Sequence, residues 1–147
     1  MDHLEHPSRG TWERRRAWFE HVEESARGGG SFLVSEQACA LAADVQAAFC
    51  AGAWAAVIML AIAVVDAALR EVEVPGFSGS TKDLIAAAGA NQNLQTLRVR
   101  RNTLVHVNPA QPALTVDEQW TDRAELEREA CSAVQSMFEA FYLSPGT

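Results

Sequence analysis

Three arginines, an asparagine and a histidine crowd into nine residues of the stretch RVRRNTLVHVNP, residues 98–109: Arg98, Arg100, Arg101, Asn102 and His106. Arginine donates paired hydrogen bonds to phosphate oxygens, histidine as a residue type moves protons near neutral pH, and asparagine fixes orientation. Together they point to chemistry on a phosphate. The stretch reads as part of a helix from about residue 93 to 107, ended ahead of Pro109 because proline disfavours helical geometry in the residue before it. On a helix turning about 100° per residue, Leu94, Leu97, Arg101, Leu104 and Val105 share one side, with Arg101 in the middle of that apolar stripe. Asn102 and His106 are neighbours along one edge of the stripe, Arg98 continues their row, and Arg100 falls on the opposite side.

A guanidinium aimed at a packed surface is costly unless paired, so Arg101 needs an acid, a ligand or an opening between subunits. Two readings follow. In the structural one Arg101 pairs with Asp66, the lone acid of an apolar helix, while Asn102 and His106 face water; Asp66 can equally be satisfied by Arg70, four residues on. In the functional one Arg101, Asn102 and His106 form a phosphate site.

The elements that must position these residues read as helices throughout. Trp12, Phe19, Val22 and Ala26 recur at helical spacing and predict an amphipathic helix over about 11–26, packed on the outside and ended at Gly28. Ser35 caps a second helix to about Phe49, and a third runs from about Ala53 to Val74, stopped by Pro75 and Gly76. STKD, residues 80–83, is a capping box opening a short helix to Ala88. Thr121 is expected to cap a last helix to about Tyr142, with Leu126, Val134, Met137, Phe138 and Phe141 as its apolar side. Residues 108–120 form one long loop, and no segment alternates like a strand. The expected architecture is an all-α bundle.

Composition bounds what this bundle does. At 147 residues, 48% hydrophobic and 21% charged, the chain suits a single globular domain. A formal charge of −7 argues against broad attraction to nucleic acid or anionic lipid, so a polyanion must be held locally. Local clusters exist at Arg14, Arg15 and Arg16 and around Arg101, and eleven of the twelve basic residues are arginine, the better phosphate fork. Cys39, Cys50 and Cys131 form no CxxC and read as reduced core residues of a cytoplasmic protein. His3 and His6 lack further ligands at the expected spacing and read as part of a polar tail, so no metal is expected. The start of the chain is charged and has no apolar run of a secretory signal. Residues 47–65 carry no charge over nineteen residues, long enough to raise a membrane span. Cys50, Ala51 and Gly52 are instead expected to break the run into two buried bundle helices, and no membrane is expected as a partner.

RNTLVH, residues 101–106, resembles the R-x4-6-H motif of HEPN domains, in which a polar residue, often Asn, follows the Arg. The Ala-rich segment ending AVVDAALREV resembles the helix that carries an acid near the motif in many members, and the resemblance covers about residues 35–143. It implies a dimerising bundle of four to six helices. It also implies a metal-independent endoribonuclease cleaving single-stranded RNA, of the kind found in toxin–antitoxin and antiviral defence settings. Carried over, Arg101 binds the scissile phosphate, Asn102 orients it, His106 transfers a proton as the ribose 2′-OH attacks, and Asp66 is the supporting acid. Arg98 and Arg100 are expected to bind substrate. A non-cutting HEPN-like module that binds nucleotide or a protein partner is the alternative. No rival motif such as GxSxG, HExxH or a P-loop occurs. The expected division is a flexible tail over 1–10, a helix and Gly-rich joint over 11–30, and the HEPN-like domain over 31–147. Arg101 and His106 lie about 140° apart around an ideal helix, so two copies facing across a two-fold axis are expected to assemble the cleft and cover Leu97 and Leu104. Partners are then RNA, a second copy and an antitoxin or defence protein, with no cofactor.

Overall fold

The computed structural model describes residues 4–146, and among them the chain is all-α, with seven α-helices and no strand. They are α1 Arg9–Arg27, α2 Glu36–Ala51, α3 Trp54–Ala68, α4 Thr81–Ala87, α5 Gln92–Val105, α6 Val116–Thr121 and α7 Arg123–Phe141. A five-residue π-helical turn, Leu69–Glu73, prolongs α3, with the Val74 N–H donating to the Leu69 carbonyl.

The helix starts follow side-chain chemistry. Ser8, Ser35 and Ser80 each accept a hydrogen bond from a backbone N–H of the first turn, at 3.1, 3.1 and 3.2 Å, satisfying donors the helix leaves open. Thr115 and Glu118 form a reciprocal capping box that opens α6. This places a short helix inside the stretch expected to be one long loop. Thr121 is not a cap: its hydroxyl donates to the Asp117 carbonyl within α6, and α7 begins two residues later with Asp122 at its N-cap.

The uncharged run is broken where expected. Gly52 ends α2 in a left-handed conformation, φ +77°, which a Cβ would strain, and α3 restarts at Trp54. No helix among the described residues is long and apolar enough to cross a membrane. Instead α3 runs through the middle of the bundle, packed against α2, α5 and α7, with Val57, Ile58, Ala61, Ile62, Val64 and Val65 buried. Burying each of these valines and isoleucines contributes about 1.5–3 kcal/mol against its exposure.

Phe49 ties the helices together. Trp18 stacks on its ring at 5.0 Å, Trp54 meets it edge-on at 5.3 Å, and Phe19 reaches both Phe49 and Phe138 of α7. The helix expected on the outside thus inserts Phe19, 3% exposed, into the common core, while Trp12 remains at the surface. All five apolar residues anticipated for the last helix are buried. Of the cysteines only Cys50 is buried; Cys39 lies at the surface and Cys131 between, all three free, so the core reading holds for Cys50 alone.

The segment ahead of α1 is engaged with the bundle from Glu5 onward. Glu5 accepts from Arg15 of α1 at 2.7 Å and pairs with Arg123 of α7. Both guanidiniums lie over the Trp54 ring and also donate to carbonyls at the end of α2, Cys50 and Gly52. His6 is exposed, His3 lies outside the described residues, and no group of three metal-ligating side chains stands together among the described residues.

Candidate functional site

Leu94 and Leu97 of α5 are buried and Leu104 packs against the core, so the apolar side of the motif helix faces its own bundle. The apolar cover expected from a second copy is therefore supplied within the chain for Leu97. Val105, the last residue of α5, departs from the expected stripe and is 49% exposed.

Arg101 occupies the middle of the stripe as spacing requires and is half-buried. It lines a cleft of about 580 Å³ with Met59, Ile62, Asp66, Arg70 and Thr81. Its Nε is buried and has no hydrogen-bond partner among the described residues. A buried donor without an acceptor is rare in folded proteins and marks a place where something outside the chain completes the bonding.

Asp66 does not supply that acceptor. Its Oδ1 takes Arg70 Nε at 2.8 Å, and its Oδ2 takes Arg70 Nη2 at 3.1 Å and the Thr81 hydroxyl at 2.8 Å. Burial pushes the Asp66 carboxyl upward, but these bonds and the charges of Arg70 and Arg101 outweigh it and hold the group below its ordinary value. The second of the two sequence readings for Asp66, pairing with Arg70, is the one the fold adopts. Arg101 acts on Asp66 through space, without an ion-pair contact.

His106 is placed differently from its expected position. The α-helix ends at Val105, and His106 is its C-cap with extended backbone, φ −103° and ψ 100°, its N–H bonded to the Asn102 carbonyl at 2.9 Å. Its ring is thus no longer set by helical register. It is exposed and lines a second cleft of about 440 Å³ with Arg100, Thr103, Asn108 and Gln111. Within one chain Arg101 and His106 border different clefts. Asn102, half-buried, lies on the helix face between them.

The remaining arginines divide. Arg98 bonds only to Gln95, one turn back, at 2.9 Å, and keeps its charge unpaired by an acid among the described residues. Arg100 is committed to the fold: it grips Glu129 of α7 through Nε at 2.7 Å and Nη2 at 3.2 Å, and donates to the Ala113 carbonyl. These bonds make it a clamp between α5, α7 and the 108–115 segment, at the edge of the cleft that His106 lines. Arg100→Ala is expected to cost about 1–2 kcal/mol and to lower the thermal midpoint by several degrees, read by calorimetry; an unchanged midpoint would return Arg100 to the surface cations. The Arg14–Arg16 cluster is also largely spent, with Arg15 on Glu5 and Arg16 on Glu20 at 2.9 Å. Glu129 and Glu5, which neutralise Arg100 and Arg15, carry no local signal because neither lies within a helical turn of its partner, 29 and 10 residues away.

Comparison with family models, with characterised proteins and with solved structures finds no match for this chain.

Proposed function

We propose that the chain is a HEPN-type endoribonuclease that cleaves single-stranded RNA without a metal ion, as a homodimer. The observation that carries this reading is Arg101: a guanidinium held in an apolar stripe, its Nε buried and unpartnered, facing a cleft whose two acids, Asp66 and Glu71, are bonded to other groups, Asp66 to Arg70 and Thr81 and Glu71 to the Ser35 hydroxyl. Arg98 adds a cation without an acidic partner one turn away, Asn102 stands on the adjoining face, and His106 caps the end of α5 beside the second cleft.

In this reading the 2′-oxygen of the ribose attacks the adjacent phosphorus, and the bond from phosphorus to the leaving 5′-oxygen breaks. His106 handles the proton that leaves the 2′-OH or the one that reaches the 5′-oxygen. Arg101 donates to the phosphate oxygens as negative charge gathers on them, where a preorganised donor is most effective, and Asn102 holds the phosphate in register. The products are a 2′,3′-cyclic phosphate and a 5′-OH, and DNA, lacking the 2′-OH, is spared. Self-association along α5 brings the Arg101 cleft of one copy toward His106 of the other. Val99 and Val105, 50% and 49% exposed beside the Arg98–Asn102 row, give that face its apolar contribution. The acidic chain attracts RNA poorly at long range, which suits a nuclease directed by a partner in a cytoplasmic toxin–antitoxin or defence assembly.

Cleavage of single-stranded RNA is expected to persist in EDTA, because the proposed chemistry places arginine charge where other nucleases place a cation. Loss of activity on chelation, restored by Mg²⁺ or Mn²⁺, would contradict the assignment. A second reading, a non-cutting module that binds nucleotide, is favoured by the separation of Arg101 and His106 into different clefts of one chain. It predicts nucleotide binding at Arg101 with no cleavage at any protein concentration.

A further inference from the structure

Asp66 and Arg101 border the same cleft with opposite charges, and yet they make no ion pair. What holds them apart is visible in the bonding of Asp66. Arg70, four residues along at the start of the π-helical turn, engages both carboxylate oxygens, and Thr81 of α4 donates to Oδ2 from the other side. Arg70 is in turn held in place: it donates to the carbonyls of Phe77 at 3.3 Å and Gly79 at 2.9 Å, in the segment that leads into α4. A carboxylate gripped on both oxygens by a fixed fork and a hydroxyl is not free to rotate toward a second guanidinium.

We infer that Arg70 and Thr81 are positioning residues that withhold Asp66 from Arg101 and so keep Arg101 open to a phosphate group. The inference rests on the phosphate-binding reading of Arg101 given above. Released from Arg70, Asp66 is an anion of the same cleft free to turn toward Arg101 and compete with any incoming phosphate. A purely architectural role for the triad, tying α4 to α3, predicts lost stability and nothing about Arg101.

The test follows the Arg101 Nε–H resonance by NMR during titration with inorganic phosphate. In the parent the resonance moves with added phosphate. Arg70→Met is expected to shift the resonance before any phosphate is added and to weaken phosphate binding about fivefold, as an ion pair of this exposure permits. Adding Asp66→Asn to Arg70→Met is expected to restore the parent response, since the competing charge is gone. Thr81→Val leaves the anchored segment intact and should move the same readouts in the same direction by a smaller amount, which guards against misfolding of Arg70→Met. A parent resonance that ignores phosphate, equal responses in all four proteins, or a double variant that fails to recover would each overturn the inference. Failure of the ribonuclease reading is separate: there the resonances respond as described, and RNA is not cut.

Discussion

Replacing His106 with alanine is expected to reduce cleavage of single-stranded RNA by about 10²-fold or more, the typical contribution of a positioned proton-transfer group, with the fold unchanged. His106 lies beyond the end of α5, its ring is exposed, and its backbone N–H, which alanine keeps, makes the capping bond to Asn102. Nothing in the core depends on its side chain, so the circular dichroism spectrum and thermal midpoint of His106→Ala should match the parent. Mixing His106→Ala with Arg101→Ala adds a test of the composite cleft: a heterodimer retains one complete pair of residues and should recover part of the activity that neither variant has alone. Parent-like cleavage by His106→Ala would move the reading to the non-cutting module.

Arg101→Met is expected to abolish cleavage, a loss on the order of 10²–10³-fold for a donor to developing phosphate charge, while leaving the thermal midpoint equal to or above that of the parent. The sign of the second effect is the informative one. Arg101 makes no ion pair, and its buried Nε–H has no acceptor among the described residues, so that donor is desolvated without a compensating bond. Methionine keeps an unbranched stem at the edge of the cleft that Met59, Ile62 and Ala63 also line, with no charge to desolvate. A residue that costs stability and carries activity is characteristic of a functional site rather than of a structural ion pair. Arg100→Ala sets the contrast, since it lowers stability through its bonds to Glu129 and Ala113. If Arg101→Met unfolds the chain, the charge is architectural and the phosphate reading falls.

Much of this was legible in the residues themselves. Helical periodicity placed Leu94, Leu97 and Arg101 on one side of α5 and the five apolar residues on the core side of α7, because burial follows a repeat that is local to each helix. Ser35 and Ser80 marked helix starts, and the Gly52 break divided the uncharged run, because capping and left-handed geometry need only a few adjacent residues. Tertiary structure decided what depends on distance between helices. Sequence left Asp66 two possible arginines and Arg100 none in particular; packing of α4 beside α3 and of α7 beside α5 assigned Asp66 to Arg70 and Thr81, and Arg100 to Glu129. Trp12 and Trp18 are both aromatic positions of α1, and only the approach of Phe49 selects Trp18 for stacking. The end of α5 at Val105, ahead of the position proline alone would impose, frees His106 from the helical register that spacing implied. An i, i+4 relation is written into a single helix, whereas the partner of a charge is set by whichever element folds against it, and that is a property of the assembled bundle.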